Sequence, residues 1–311
     1  MQFTTQIQLT EYKSIDHNSK ILNIGSCFAE NIGNKLIESR FNIINNPNGI
    51  VYNPITISEI LTHIIDNSEY QESDIIYNGG LWHSILHHGK FSGPDKQIVL
   101  STINSNLHNH HEFIKTTTHI IITFGSSVVY DYMGRTAGNC HKLPNKLFKE
   151  KQLSIDEIVN TTSEVIDKIK AINNNIQIII TISPVRYAGK GMHNNQINKA
   201  TLLLATEELC KKYGLIYFPS FEIVLDELRD YRYFAEDMIH PSETAVRYIW
   251  ERFCDSMLTK ECNRLLPKIE KINKSINHRP LHPESEEYRT FLMNLEKEIK
   301  ILRTKYPNII F

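Results

Sequence analysis

The stretch Ile21-Leu22-Asn23-Ile24-Gly25-Ser26-Cys27-Phe28-Ala29-Glu30 changes character in its middle. Its first four residues form a short apolar run of strand length. After Gly25 the apolar residues Phe28, Ile32 and Leu36 recur every fourth position, the spacing of one helical face. A strand that turns through a glycine straight into a helix opens a βαβ unit. The alternation continues outward. Residues 41–44 read as a second strand and 55–65 as a second helix. Ile120-Ile121-Ile122-Thr123-Phe124 and residues 176–182 are strongly β-prone runs. Between them a helix starts at Ser154, where Ser154 and Glu157 make a capping box. It carries Ile155, Ile158, Val159, Ile166 and Ile169 on one stripe. A helix over 196–212, a strand at 215–218 and a last core helix from the N-cap Ser242 towards Met257 follow. The pattern predicts an α/β core with a mainly parallel sheet over residues 1–258. Residues 67–118 read as an insertion of short strands or loops. Residues 259–311 read as a helical extension, with Tyr288, Phe291, Leu292, Leu295, Ile299 and Leu302 on one apolar stripe.

The composition is that of an ordinary globular protein: 311 residues, 41% hydrophobic and 22% charged. With 34 basic and 35 acidic residues, no nucleic acid or anionic membrane is expected as partner. No stretch approaches the ~18 apolar residues of a membrane span, and the N-terminus lacks the basic and apolar regions of a signal peptide. Cysteines at 27, 140, 210, 254 and 262 are scattered, which suits reduced thiols and a cytoplasmic location. Histidines at 83, 87, 88, 108, 110 and 111 cluster, but no cysteine or carboxylate stands at a useful spacing, so no metal is expected. Nothing calls for a cofactor. The oligomeric state is left open.

Ligands of an open parallel sheet bind beyond the carboxyl ends of its strands. Three apolar runs end there in Gly25-Ser26-Cys27, Gly125-Ser126-Ser127 and Ser183-Pro184-Val185-Arg186. A thiol at a helix N-terminus is favoured as thiolate by the dipole, and the unpaired N–H groups beside it can hold an anion. Cys27 therefore reads as a nucleophile, with a buried inert cysteine as the alternative. Asp237 and His240 stand three apart ahead of a helix. There a carboxylate can orient an imidazole as general base; a turn-forming Asp and a surface His are the alternative. Arg186 at a strand end is a candidate for a substrate anion or sugar, and Lys199 early in the following helix is noted beside it, with surface charge as the alternative for each. Trp82 and His83 are candidates to line the cleft.

At these residues the chain resembles the GSCFA family, named for the motif that stands here as Gly25-Ser26-Cys27-Phe28-Ala29. Blocks at Asn48-Gly49-Ile50-Val51-Tyr52-Asn53-Pro54, Trp82-His83-Ser84, Asn139-Cys140-His141-Lys142 and Asp237-Met238-Ile239-His240-Pro241 resemble family blocks in order, as does the tail 279–311. The family is similar in turn to the SGNH, or GDSL-like, hydrolases. That resemblance implies a three-layer α/β/α, flavodoxin-like fold and cleavage of O-acyl esters, often on carbohydrates. The superfamily's first block, Gly-Asp-Ser-x-x-Glu, overlays Gly25 to Glu30 and puts Cys27 at the nucleophile position and Ser26 at that of the aspartate. A cysteine nucleophile, a shift making Ser26 the nucleophile, and lost hydrolysis are all compatible with this departure. The simplest register favours Cys27. Gly49 resembles the second-block glycine whose N–H serves the oxyanion. Gly125-Ser126-Ser127 replaces the third-block asparagine, leaving Ser126, Ser127, Asn48 or Asn53 as the remaining donor. The implied function is ester hydrolysis through an acyl-enzyme on a carbohydrate or glycan precursor. An acyltransferase, with acyl-coenzyme A as a candidate donor, and a non-catalytic glycan-binding protein are the alternatives.

Overall fold

A computed structural model describes residues 4–311. Strand β1 (Lys20–Gly25) leads into helix α1 (Cys27–Glu38), then β2 (Asn42–Asn45) and α2 (Pro54–Asp66). A hairpin of β3 (Ile75–Asn78) and β4 (Leu81–Ser84) follows, then α3 (Lys96–Ile114) and β5 (His119–Phe124). Three antiparallel strands come next: β6 (Val128–Tyr132), β7 (Arg135–Ala137) and β8 (Phe148–Gln152). The core closes with α4 (Ile155–Ile172), β9 (Gln177–Ile182), α5 (Met192–Tyr213), β10 (Ile216–Phe218), the single turn α6 (Ser220–Glu222) and α7 (Glu243–Met257).

The central sheet is β10-β9-β5-β1-β2 and parallel throughout. Counting its five strands along the chain, this is the order 2-1-3-4-5 of flavodoxin-like doubly wound folds. Strands β5 and β9 are nearly continuous apolar runs because both faces are covered. Leu22, Ile24, Ile120, Ile122, Ile178 and Ile180 join the core under α2, α3, α4 and α5. Their alternating neighbours Ile21, Ile121 and Ile179 face the core under α1 and α7. The result is a three-layer α/β/α sandwich.

One region differs from the sequence expectation and a second lay outside it. Residues 96–114, expected as short strands or loops, are the 19-residue helix α3, capped by Asp95 and buried at Val99, Ile103, Leu107 and Ile114. Its apolar residues are sparse among asparagines and histidines, so the stripe is faint. Residues 128–152 carry the small sheet β6–β8, whose strands are only partly buried and so show little alternation.

Beyond the core, α8 (Lys260–Ile276) and α9 (Glu286–Lys305) pack around Ile269, Ile272, Leu302 and Ile309. Of the predicted α9 stripe only Leu302 is fully buried, and Leu292 is exposed. Among the described residues no helix is long and apolar enough to cross a membrane.

Candidate active site

The turn after β1 is braced from three sides. Gly25 has φ +148, and a Cβ there would lie 2.3 Å from the Thr123 carbonyl oxygen, so only glycine fits. Its N–H donates to Asn46 Oδ1 at 2.8 Å, and Asn46 Nδ2 donates to Glu30 Oε2 at 2.7 Å. Ser26 is the N-cap of α1; its hydroxyl accepts from the Phe28 N–H at 3.2 Å and it is 1% exposed. Cys27 is the first helical residue and partly exposed. Among the described residues its own N–H has no partner in another residue, as expected of a helix N-terminus.

Cys27 borders a cavity of about 330 Å³, together with Ser26, Tyr52, Asn53, Gly125, Ser126, Arg186 and the β6–β7 region from Val128 to Cys140. Asn53 caps α2 by accepting from the Thr56 N–H at 2.8 Å through Oδ1. Its Nδ2 has no protein partner among the described residues. The Tyr52 carbonyl accepts from the N–H groups of Gly125 (2.8 Å) and Ser126 (2.9 Å), locking the β5 end to this block.

Other expected donors are committed elsewhere. The Gly49 N–H donates to the Asn46 carbonyl at 2.8 Å. Gly49 is required by its φ of +83 and by His88, whose Cβ lies 2.2 Å from where a Gly49 Cβ would stand. The Asn48 amide donates to Tyr70 Oη at 3.0 Å and the Leu86 carbonyl at 3.3 Å. Ser127 is fully buried and bonded to Asn198 through both N and Oγ. Ser126 Oγ accepts from the Val128 N–H (2.9 Å) and Asn198 Nδ2 (3.0 Å). In the β3–β4 hairpin, Trp82 packs under Lys96, and His83 spends both ring nitrogens on Ser92 Oγ (2.6 Å) and the Asn78 carbonyl (3.0 Å). Neither Trp82 nor His83 borders the cavity.

The Asp237–His240 loop hangs on the cavity wall. Arg186 donates from its backbone N to the Ile239 carbonyl (3.1 Å) and from Nη1 to the Met238 carbonyl (3.0 Å), with its guanidinium 3.8 Å from the Phe234 ring centre. Asp237 Oδ2 meets His240 Nδ1 at 2.6 Å, while Oδ1 accepts from the N–H groups of Ile239 and His240. Hydrogen bonds from the His240 backbone and ring and from the Ile239 N–H pull the Asp237 acid down to about 2, so its carboxylate is ionised at neutral pH. The His240 ring is half exposed, and among the described residues Nε2 makes no hydrogen bond to Cys27 or any other group.

Burial pushes the Cys27 thiol up; the N–H groups of Phe28 and Cys27 and the Lys199 charge pull against it, and Asp237 adds to the rise. The sequence expectation of a favoured resting thiolate is corrected on this point. Desolvation outweighs the helix terminus, so the resting group is the neutral thiol.

Sequence reasoning missed a polar stripe on α5. Asn195, Asn198 and Lys199 are buried at i, i+3 and i+4, directed at the strand ends. Asn195 Oδ1 accepts from the Tyr187 N–H at 2.7 Å. Lys199, expected as a surface charge or a substrate contact, is 1% exposed and donates to the carbonyls of Gly125 (2.9 Å) and Ser183 (2.7 Å). Helical spacing was the available signal, but polar residues at core positions do not register as a stripe. Among the described residues no group of three histidines, cysteines or carboxylates is placed to hold a metal ion.

Fold and site together define a doubly wound α/β protein with a cysteine opening its first helix at the strand-end rim. The chain belongs to the GSCFA family, whose profile matches residues 20–253. The profile of the GSCFA domain protein C-terminal domain matches residues 269–311. No curated protein matches the chain.

Proposed function

We propose that the protein is an ester hydrolase of SGNH, or GDSL-like, type that removes O-acyl groups from a carbohydrate or glycan precursor through an acyl-enzyme on Cys27. One observation carries the reading. Cys27, with its unpaired N–H, shares a cavity with the Asn53 amide, and the cavity wall at Arg186 holds the Asp237–His240 pair. The strand order and the position of Asp-x-x-His just ahead of the last core helix support the superfamily assignment. Tyr52, Tyr130 and Tyr187 around the cavity offer ring faces and hydroxyls suited to a sugar. The five free cysteines suit a reducing compartment.

Closure of the 235–241 loop brings His240 Nε2 to the Cys27 thiol; catalytic contacts are commonly long before substrate binds. His240 takes the thiol proton while Asp237 stabilises the imidazolium. The sulfur attacks the ester carbonyl, and the oxyanion is held by the Cys27 N–H and Asn53 Nδ2. The alkoxide leaves with the proton from His240, giving a thioester. Water then gives a proton to His240 and its oxygen to the acyl carbon, and the acid departs as the thiol reforms.

Incubation with an activated acetyl ester, followed by intact-mass measurement, tests this. An acetyl adduct is expected on the wild type and on Ser26→Ala, and none on Cys27→Ala. An adduct retained by Cys27→Ala and lost by Ser26→Ala would transfer the role to Ser26. Neither adduct nor turnover would leave a binding protein. Adduct loss faster with a sugar alcohol than with water alone would assign acyl transfer to the same site.

A further inference from the structure

We infer that Lys199 is a positioning residue for the candidate nucleophile: its buried amine clamps the ends of β5 and β9 beneath the cavity and, as ammonium, supplies the counter-charge for the Cys27 thiolate. The inference rests on the reading of Cys27 as nucleophile.

A lysine is almost never fully buried unless something compensates its charge. Lys199 is 1% exposed, and its partners are two backbone carbonyls, Gly125 and Ser183, rather than a carboxylate. Both residues border the same cavity as Cys27. Gly125 in turn presses on the nucleophile turn, since a Cβ there would lie 3.2 Å from Ser26 Cβ. The clamp therefore sits one residue away from the turn that carries the thiol. A methionine would fill this space without the desolvation cost. A cation here is accounted for by an anion that forms nearby during the reaction.

The groups acting on Cys27 are few. They are Lys199 from α5, Asp237 from the loop, and the N–H groups of Cys27 and Phe28, while the Tyr52 phenol feels the thiol in return. Among them Lys199 is the side-chain cation. Around Lys199 itself stand Cys27 and the Phe221 ring, 5.8 Å from Nζ. Burial pulls the Lys199 amine down to about 7, and Cys27 pulls it back up. The two groups therefore favour each other's charged forms. When His240 accepts the thiol proton, Lys199 keeps its own.

The test follows alkylation of Cys27 by iodoacetamide against pH, read on the Cys27 peptide by mass spectrometry. Lys199→Met is expected to move the midpoint up by about one unit, so that alkylation near neutral pH slows about tenfold. Circular dichroism and melting confirm the fold. An unchanged profile in folded Lys199→Met overturns the inference. Should Lys199→Met not fold, Cys27→Asp and Cys27→Ala decide the matter by NMR of ¹³Cε-labelled lysine. By linkage, Lys199 should titrate at higher pH beside the carboxylate than beside alanine; equal titration overturns the inference. Alkylation reports the thiolate whether or not esters are cleaved. Thus a silent Lys199 in an active esterase sinks this inference alone, and a Lys199-dependent thiol without ester turnover sinks the proposed function alone.

Discussion

Cys27 and Cys262 both stand in the first turn of a helix, yet their surroundings differ. Cys262 Sγ lies 3.2 Å from His17 Nδ1, and His17 Nε2 meets the Ser39 carbonyl at 3.1 Å. Burial pushes this thiol up and this imidazole down, so both are neutral. The thiol hydrogen donates to Nδ1, and Nε2–H donates to the carbonyl. The Cys262 N–H is spent on Thr259 Oγ1 at 3.3 Å, and although the pair borders a groove, Cys262 is only 2% exposed. This ready-made thiol–imidazole contact joins α8 to the core. Among the described residues Cys27 has no such contact and its N–H has no backbone partner, and around it stand a cavity, the buried Lys199 side chain and a carboxylate-oriented histidine on the adjoining wall. Under the proposed function, a short sulfur–nitrogen distance is a poor guide to reactivity. The surroundings that stabilise a developing charge distinguish the two.

Substitutions that swap these surroundings can break the contrast. The largest effect is expected for Cys27→Ala, which should lose at least about 10⁴ in ester turnover by removing the nucleophile, while Cys262→Ala leaves turnover within about twofold. Asp237→Asn should cost about 10²–10⁴ in rate, by removing the charge that orients and supports His240. Among the described residues no carboxylate is hydrogen-bonded to the His17 ring; its second nitrogen bonds a carbonyl. Asn53→Asp sharpens the oxyanion assignment. Aspartate keeps the α2 cap that Oδ1 now provides but loses the amide donor, so turnover should fall about 10²–10³ with little change in melting. A wild-type rate in this variant would send the oxyanion elsewhere. The smallest change is in stability: Cys262→Ala should destabilise the fold by about 1–2 kcal/mol through lost packing and one hydrogen bond, read by urea denaturation.

What the sequence made legible follows the same division. The runs at 120–124 and 176–182 are apolar on both sides because helices cover both faces of the sheet, so their strand character and the parallel sheet were readable. The turn at Gly25 was readable because one residue type satisfies its backbone. The cavity wall from β6 and β7 was not, since Val128, Tyr130 and Ala137 line it only after a sheet of mostly polar strands folds over the rim. Asn195 and Asn198 were hidden, and the burial of Lys199 with them, because polar side chains on a helix read as solvent-facing until a tertiary partner takes them in. Gly49 and Asn48 looked like site residues, yet their polar groups serve the loop itself and the packing beneath it.

The account stands or falls on where an acyl group sits once attached. The decisive measurement is a crystal structure of the protein after reaction with an acylating ester analogue that stalls at the thioester. The account predicts the acyl carbon on Cys27 Sγ, its carbonyl oxygen within hydrogen-bond distance of the Cys27 N–H and Asn53 Nδ2, and His240 Nε2 turned towards the thioester. An acyl group on another residue, or a Cys27 thioester whose oxygen faces solvent with His240 turned away, would contradict it.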